Sequence, residues 1–238
     1  MWPFYYYGFN FGYSDTLYTF SMVLLIIAII ITLYAQIKVK SSFSKYSKAP
    51  ANLTGAAAAE RLLASQGIYN VKIERTNGHL SDHFDPRTNT IRLSEDVYDK
   101  ATVAAVGVAC HEAGHALQYA NGYAPIKLRN SIIPITRIGS MLAMPLILLG
   151  FFFNSFFAGI GVALYALSTL FQLITLPVEL NASRRAVTII KEQNILYDDS
   201  QKIGAKKVLT AAALTYLGAL LASLAQLLRL ISIVNRRR

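Results

Sequence analysis

Cysteine is nearly missing from this 238-residue chain, in which Cys110 stands alone. One thiol closes no internal disulfide, so the fold needs no oxidising compartment, and no multi-cysteine metal site can form. Charge is scarce as well. Asp, Glu, Lys and Arg make up 15% of the residues, below the share usual in soluble domains, while apolar residues make up 54%. What charge there is leans one way, with 23 Lys and Arg against 13 Asp and Glu. Such a balance can suit nucleic acid, but no groove-reading motif accompanies it. The lysines crowd beside apolar runs instead, as at Lys38, Lys40, Lys45 and Lys48. That placement suits topology-setting charge near anionic lipid, so a lipid membrane is the expected partner and nucleic acid is not.

Charge-free runs are what the chain has in abundance. Leu17 to Ile37 is uncharged for 21 residues, enough to cross roughly 30 Å of hydrocarbon as a helix. No Lys or Arg precedes it and no small-residue cleavage site follows, so it reads as a retained anchor rather than a signal peptide. Ile138 to Val178 is uncharged for 41 residues, interrupted by Asn154-Ser155 and Gly159, and reads as a hairpin of two spans with its tip near residues 154 to 160. Val208 to Leu228 is a last block of 21, with Ala211, Thr215, Ala219 and Ala222 suited to close helix packing. If it spans, Arg236, Arg237 and Arg238 fall on the far side, against the positive-inside rule, so partial insertion stays open and three to four transmembrane helices are expected.

Between these runs the composition is mixed. Thr54 caps a helix over 55–65 that Gly67 stops, and Val71 to Arg75 and Thr90 to Leu93 alternate like short strands. Ser94, followed by Glu95 and Asp96, predicts another helix start. Ala101 to Ala120 predicts a buried helix, its ten uncharged residues before His111 being too few to span. The expected division is an anchor segment over 1–44, an α+β part over 45–137, a hairpin over 138–178, a helix and loop over 179–207, and an apolar helix over 208–238. A hairpin returns the chain to the side it left. Residues 101–120 and 179–207 therefore share one face, and their lysines and arginines make that face cytoplasmic.

The chemistry concentrates in His111-Glu112-Ala113-Gly114-His115. A spacing of four puts both imidazoles on one helix face, one turn apart, where they can bind the same zinc. Glu112 lies beside them, placed to take a proton from a water on the metal as it attacks a peptide carbonyl. Burying two histidines and a glutamate together without a partner would cost several kcal/mol, which disfavours an accidental cluster. Gly114 suits close approach by another segment. Catalytic zinc usually has three protein ligands. Glu179 is the best third candidate, because it ends the 41-residue uncharged run and lies on the same face, although an acid marking the interface is the plainer alternative. Its helix is expected to begin after Pro177. His79, Asp82, His83 and Asp85 lie in a loop-like stretch and suit a turn network or substrate contacts better than a second metal site. Thr90 to Leu93 suits either an edge strand adding an extended peptide or ordinary core pairing. Cys110 turns about 100° from His111 and reads as core.

These segments resemble a known family, the YugP-type bacterial membrane zinc metallopeptidases, which are themselves similar to HtpX-type proteases. The likeness runs through Lys38 to Ser47, His79-Leu-Ser-Asp-His-Phe-Asp-Pro-Arg87, Leu93-Ser-Glu-Asp-Val-Tyr98, His111 to His115, and Leu176-Pro-Val-Glu-Leu-Asn-Ala-Ser183. It implies a mainly α membrane protein with a small α+β gluzincin-like metallopeptidase part. The implied zinc ligands are His111, His115 and Glu179, with Glu112 as catalytic base. HtpX-type enzymes carry Glu-x-x-Ala-Asp where this chain has Glu179-Leu-Asn-Ala182-Ser183, so the acid expected to hold a histidine ligand is replaced by Ser183.

The implied function is hydrolysis of peptide bonds in membrane or membrane-proximal proteins, in a multi-pass cell-membrane protein whose active site faces the cytoplasm. A non-catalytic metal-binding scaffold is the reading from another class. FtsH-type proteases share the motif but need a Gly-x-x-x-x-Gly-Lys-Ser/Thr loop that is missing here. Site-2-type proteases add an Asp in a later span, and the later runs have none. His79, His83, Arg184 and Arg185 are the candidate oxyanion stabilisers.

Overall fold

The fold is seen in a computed structural model that describes residues 13–235, so the expectation about Arg236, Arg237 and Arg238 lies outside the described residues. The first element, α1 (Tyr13–Tyr46), runs through the basic stretch as well as the apolar one. Nothing between Ile37 and Tyr46 breaks a helix, and Pro50 soon after prevents its continuation. Next come α2 (Gly55–Ser65), with Thr54 Oγ1 accepting from Ala57 N–H at 3.2 Å, and three short strands: β1 (Lys72–Arg75), β2 (His83–Asp85) and β3 (Thr90–Leu93). The sheet order is β1-β3-β2, with β1 parallel and β2 antiparallel to β3.

Of the two readings left open for Thr90–Leu93, core pairing holds: it is the central strand and largely buried, because its alternate residues Ile91 and Leu93 join the core. The edges are β1 and β2, and β2 occupies a stretch that the sequence suggested was loop. The helix expected after Ser94 closes only one turn, with Val97 and Tyr98 N–H donating to the Ser94 carbonyl. Ser94 is held by Asp82 instead, its own N–H and hydroxyl both donating to that carboxylate.

The remaining elements are α3 (Val103–Ala120), α4 (Ala124–Phe152), α5 (Ser155–Glu192) and α6 (Asp199–Asn235). The hairpin turns at Phe153-Asn154, where Asn154 Oδ1 accepts from Phe156 N–H at 2.9 Å. No new helix begins after Pro177. Pro177 lies inside α5, which continues unbroken past Glu179 to Glu192. A proline removes one helical hydrogen bond, and here packing of α5 against α3, α4 and α6 outweighs that loss. Close packing joins α4 and α5 as well, since a Cβ on Gly161 would meet the Ala143 carbonyl at 2.6 Å.

Four helices, α1, α4, α5 and α6, are long and apolar enough to cross a membrane. Large apolar side chains such as Ile37, Met141 and Phe152 stand exposed along them. A mainly helical membrane protein with a small α+β region results. That region's core unites Leu62 of α2, Ile91 and Leu93 of β3, Val106 and Ala109 of α3, and Ile190 and Leu209 from the nearby parts of α5 and α6. About 36 Å of helix separates Ser155 from Glu179, and about 36 Å separates Arg129 from Phe153. Both exceed the roughly 30 Å hydrocarbon layer, so each helix is long enough to carry Glu179 or Arg129 to the edge of such a layer on the side of the α+β region.

Candidate metal centre

Helix α3 starts at Thr102, whose Oγ1 accepts from Ala105 N–H at 3.3 Å. Its small side chains let α5 approach closely. A Cβ on Gly114 would lie 2.7 Å from the Ala182 carbonyl oxygen, so only glycine leaves room for that backbone. The close approach brings Glu179 over the motif face. His111 Nε2 lies 3.2 Å and His115 Nε2 3.5 Å from Glu179 Oε2. The two imidazoles stand nearly perpendicular, 78° apart in plane. The ligand-capable atoms of His111, His115 and Glu179 all lie within 4.8 Å of one another. Glu179 is only 2% exposed, which makes an unsatisfied carboxylate costly there. Its other oxygen lies 3.5 Å from Arg129 Nη2.

The outer ring nitrogens are held too. His111 Nδ1 is 3.1 Å from Ser183 Oγ, and His115 Nδ1 is 3.0 Å from Gln118 Oε1. Gln118 Nε2 donates to the Val178 carbonyl at 2.8 Å and to Asn181 Oδ1 at 3.0 Å, which fixes the amide's orientation. His115 Nδ1 must therefore carry the proton that Gln118 Oε1 accepts, leaving Nε2 with a free lone pair. Asn181 Oδ1 also accepts from Arg185 Nε at 2.8 Å. Two Nε2 atoms and a carboxylate oxygen gathered within 4.8 Å of one another, with partners on both outer ring nitrogens, fit a zinc ion.

Glu112 is buried beside this cluster. Burial pushes its pKa up to about 7, with Glu179 and Asp82 adding to the rise and His111 and His83 opposing it. A cleft of about 160 Å³ opens onto the centre, walled by His83 and Phe84 of β2, Arg129 and Asn130 of α4, and Tyr216 of α6.

Of the four candidate oxyanion stabilisers, only His83 lines this cleft. His79 hydrogen-bonds Asp96, which raises its pKa. Arg184 faces a separate groove between α5 and α6, and Arg185 is engaged by Asn181. The polar stretch over 79–85 is divided between a turn and strand β2, and hydrogen bonds hold its two acids. Asp82 accepts from Ser94, and Asp85 accepts from Arg87 N–H, Thr88 and Arg92. Cys110 is fully buried in the core.

Sequence reasoning missed Gln118, Arg129 and Tyr216. Gln118 had a usable signal, since it lies three residues after His115 on the same helix face. Tyr216 had a weaker one, a hydroxyl inside an apolar run, and Arg129 had none.

Residues 21–235 match the family model described as "Putative neutral zinc metallopeptidase". The chain is 45% identical over 213 residues to "Putative membrane protease YugP" of Bacillus subtilis (strain 168), an alignment covering 88% of this chain and 94% of that protein. No solved structure matches.

Proposed function

This chain belongs to the neutral zinc metallopeptidase family, and on that premise we propose that it is a membrane-bound endopeptidase cutting membrane or membrane-proximal proteins at the lipid boundary. The observation that carries the reading is the convergence of His111, His115 and Glu179 on one point, with buried Glu112 beside them. In this reading His111 Nε2, His115 Nε2 and Glu179 hold zinc. Zinc bound there supplies a Lewis acid that polarises a peptide carbonyl and makes a water acidic near neutral pH.

The chain's own groups do the rest. Glu112 accepts the proton of the attacking water and delivers it to the leaving amine nitrogen. Gln118 holds His115 in the tautomer that keeps Nε2 free, and Ser183 orients His111. Arg129 steadies Glu179, and Arg129, Tyr216 and His83 are the donors that face charge developing on the carbonyl oxygen. Strand β2, an edge strand that walls the cleft, accepts an extended substrate by strand addition. The cleft faces the cytoplasm in this reading, since Lys38, Lys40, Lys45 and Lys48 follow the first span on that side. The segments over 45–137 and 179–207 then form the catalytic part, one before the hairpin and one after it.

The test compares wild type with Glu112→Gln as full chains in mild detergent. Both should bind about one zinc. Cleavage of an unfolded protein substrate should fall roughly 10²–10⁴-fold in the variant. Equal cleavage by both proteins would rule out the role of Glu112. Zinc without cleavage in either would favour a metal-binding scaffold. Cysteine labelling from the cytoplasmic side should reach positions 123 and 194 alike, and labelling from outside would overturn the orientation.

A further inference from the structure

We propose that the groove between α1 and α6, on the side of the membrane that carries the α+β region, binds the phosphate headgroup of an anionic phospholipid. On α1, Lys38, Ser41, Ser42 and Lys45 recur at helical spacing along one face, and on α6 Lys206, Lys207, Thr210 and Leu214 do the same. Together they wall a groove of about 590 Å³, within the range of small-ligand sites.

The two helices run antiparallel, with Gly218 against Thr32 and Gly204 against Tyr46, which brings Lys38 level with Ala212, within a turn of Thr210 and Ala211. That level is where the apolar run of α1 ends, the depth of a lipid headgroup. Among the described residues, none of these four lysines pairs with a carboxylate. Four like charges around one groove repel each other unless an anion sits among them. Ser42 is 8% exposed and has no hydrogen-bond partner among the described residues, so its hydroxyl is available to a ligand in the groove.

A free phosphate shares this chemistry, but the lining decides for a lipid. Ala211 and Leu214 make the groove's inner wall apolar, and exposed Tyr34, one turn before Lys38, and Leu217, three residues after Leu214, continue apolar surface deeper along the two helices, where acyl chains would lie. Basic grooves between membrane helices are a common form of anionic headgroup site. This inference does not rest on the peptidase reading.

The test titrates the purified full chain, in an uncharged detergent, with phosphatidylglycerol or phosphatidylcholine and reads bound lipid by native mass spectrometry. Saturable binding of about one phosphatidylglycerol per chain is expected, with phosphatidylcholine bound at least tenfold more weakly. Replacing Lys38, Lys206 and Lys207 with Gln should weaken phosphatidylglycerol binding tenfold or more. Replacing Lys40, Lys48 and Lys72 with Gln removes the same charge elsewhere and should change it by less than about twofold. Thr210→Trp keeps every charge, fills the groove and should also weaken binding. If the groove triple variant does not fold, Lys206→Gln and Thr210→Trp singly carry the test. Equal losses in the control variant, equal binding of phosphatidylcholine, or binding of inorganic phosphate without phosphatidylglycerol would each overturn the assignment.

Discussion

Ser183 Oγ lies 3.1 Å from His111 Nδ1, although the two residues are 72 positions apart in the chain. Serine therefore occupies the orienting position that an acid would be expected to fill, and it does so through a hydroxyl that can donate or accept. Ser183→Ala should lower zinc affinity about tenfold with little change in fold. Ser183→Asp should restore or exceed wild-type affinity. A competition titration against a chromophoric chelator reads both, and an unchanged affinity in Ser183→Ala would remove the orienting role.

Gln118 ties α3 to α5, donating to the Val178 carbonyl and Asn181 while accepting from His115. Gln118→Leu removes all three bonds from a fully buried site and leaves the His115 N–H without a partner. A loss of about 2–4 kcal/mol in unfolding free energy is expected, with weaker zinc binding alongside. Gln118→Glu keeps the acceptor and should retain more metal than the leucine variant. Denaturant melts with and without added zinc separate the two effects.

Two glycines on α3 make opposite predictions. Gly114→Ala drives a methyl into the Ala182 backbone, so α5 must shift away, taking Glu179 from the histidines. About 1–3 kcal/mol of stability and most of the zinc affinity should go. Gly107→Ala meets only ordinary contacts, the nearest being Ala205 Cβ at 3.5 Å, and should be neutral or gain up to about 1 kcal/mol from helix propensity. Thermal melts of the pair check this.

Asp85 should make the turn beside the cleft acid-sensitive. Hydrogen bonds from Arg87 N–H, Arg92 and Thr88 hold its pKa down to about 2. A depressed carboxylate stabilises the folded state above the unfolded value near 3.9 and loses that contribution as pH falls through about 2. Asp85→Asn should therefore cost about 1 kcal/mol at pH 6, a value reduced by solvent screening. The gap from wild type should close between pH 4 and pH 2. A gap that stays constant across that window would exclude the ionised form as the cause.

Much of the helical frame was legible from simple rules. Charge-free runs marked the four apolar helices, Asn154 marked the hairpin tip, and Thr54 marked the start of α2. Element ends were less legible, because charged stretches such as Lys38–Lys45 and 179–192 are good helix formers that simply extend the spans. Pro177 misled for a related reason, since its local penalty is real but smaller than the packing that keeps α5 continuous. Strand β2 was hidden because three residues bearing His83 and Asp85 show no usable period.

What the sequence determined alone was whatever depends on spacing along one element: the shared face of His111 and His115, the spans, and the basic face of α1. Whatever depends on two elements meeting was decided only in three dimensions. Glu179 reaches the histidines because Gly114 admits α5, Ser183 and Gln118 take the outer nitrogens, and α1 and α6 align their lysines across one groove. Helical periodicity follows from backbone geometry within a few residues, whereas the register between packed helices is set by side-chain fit across many, which no local pattern records.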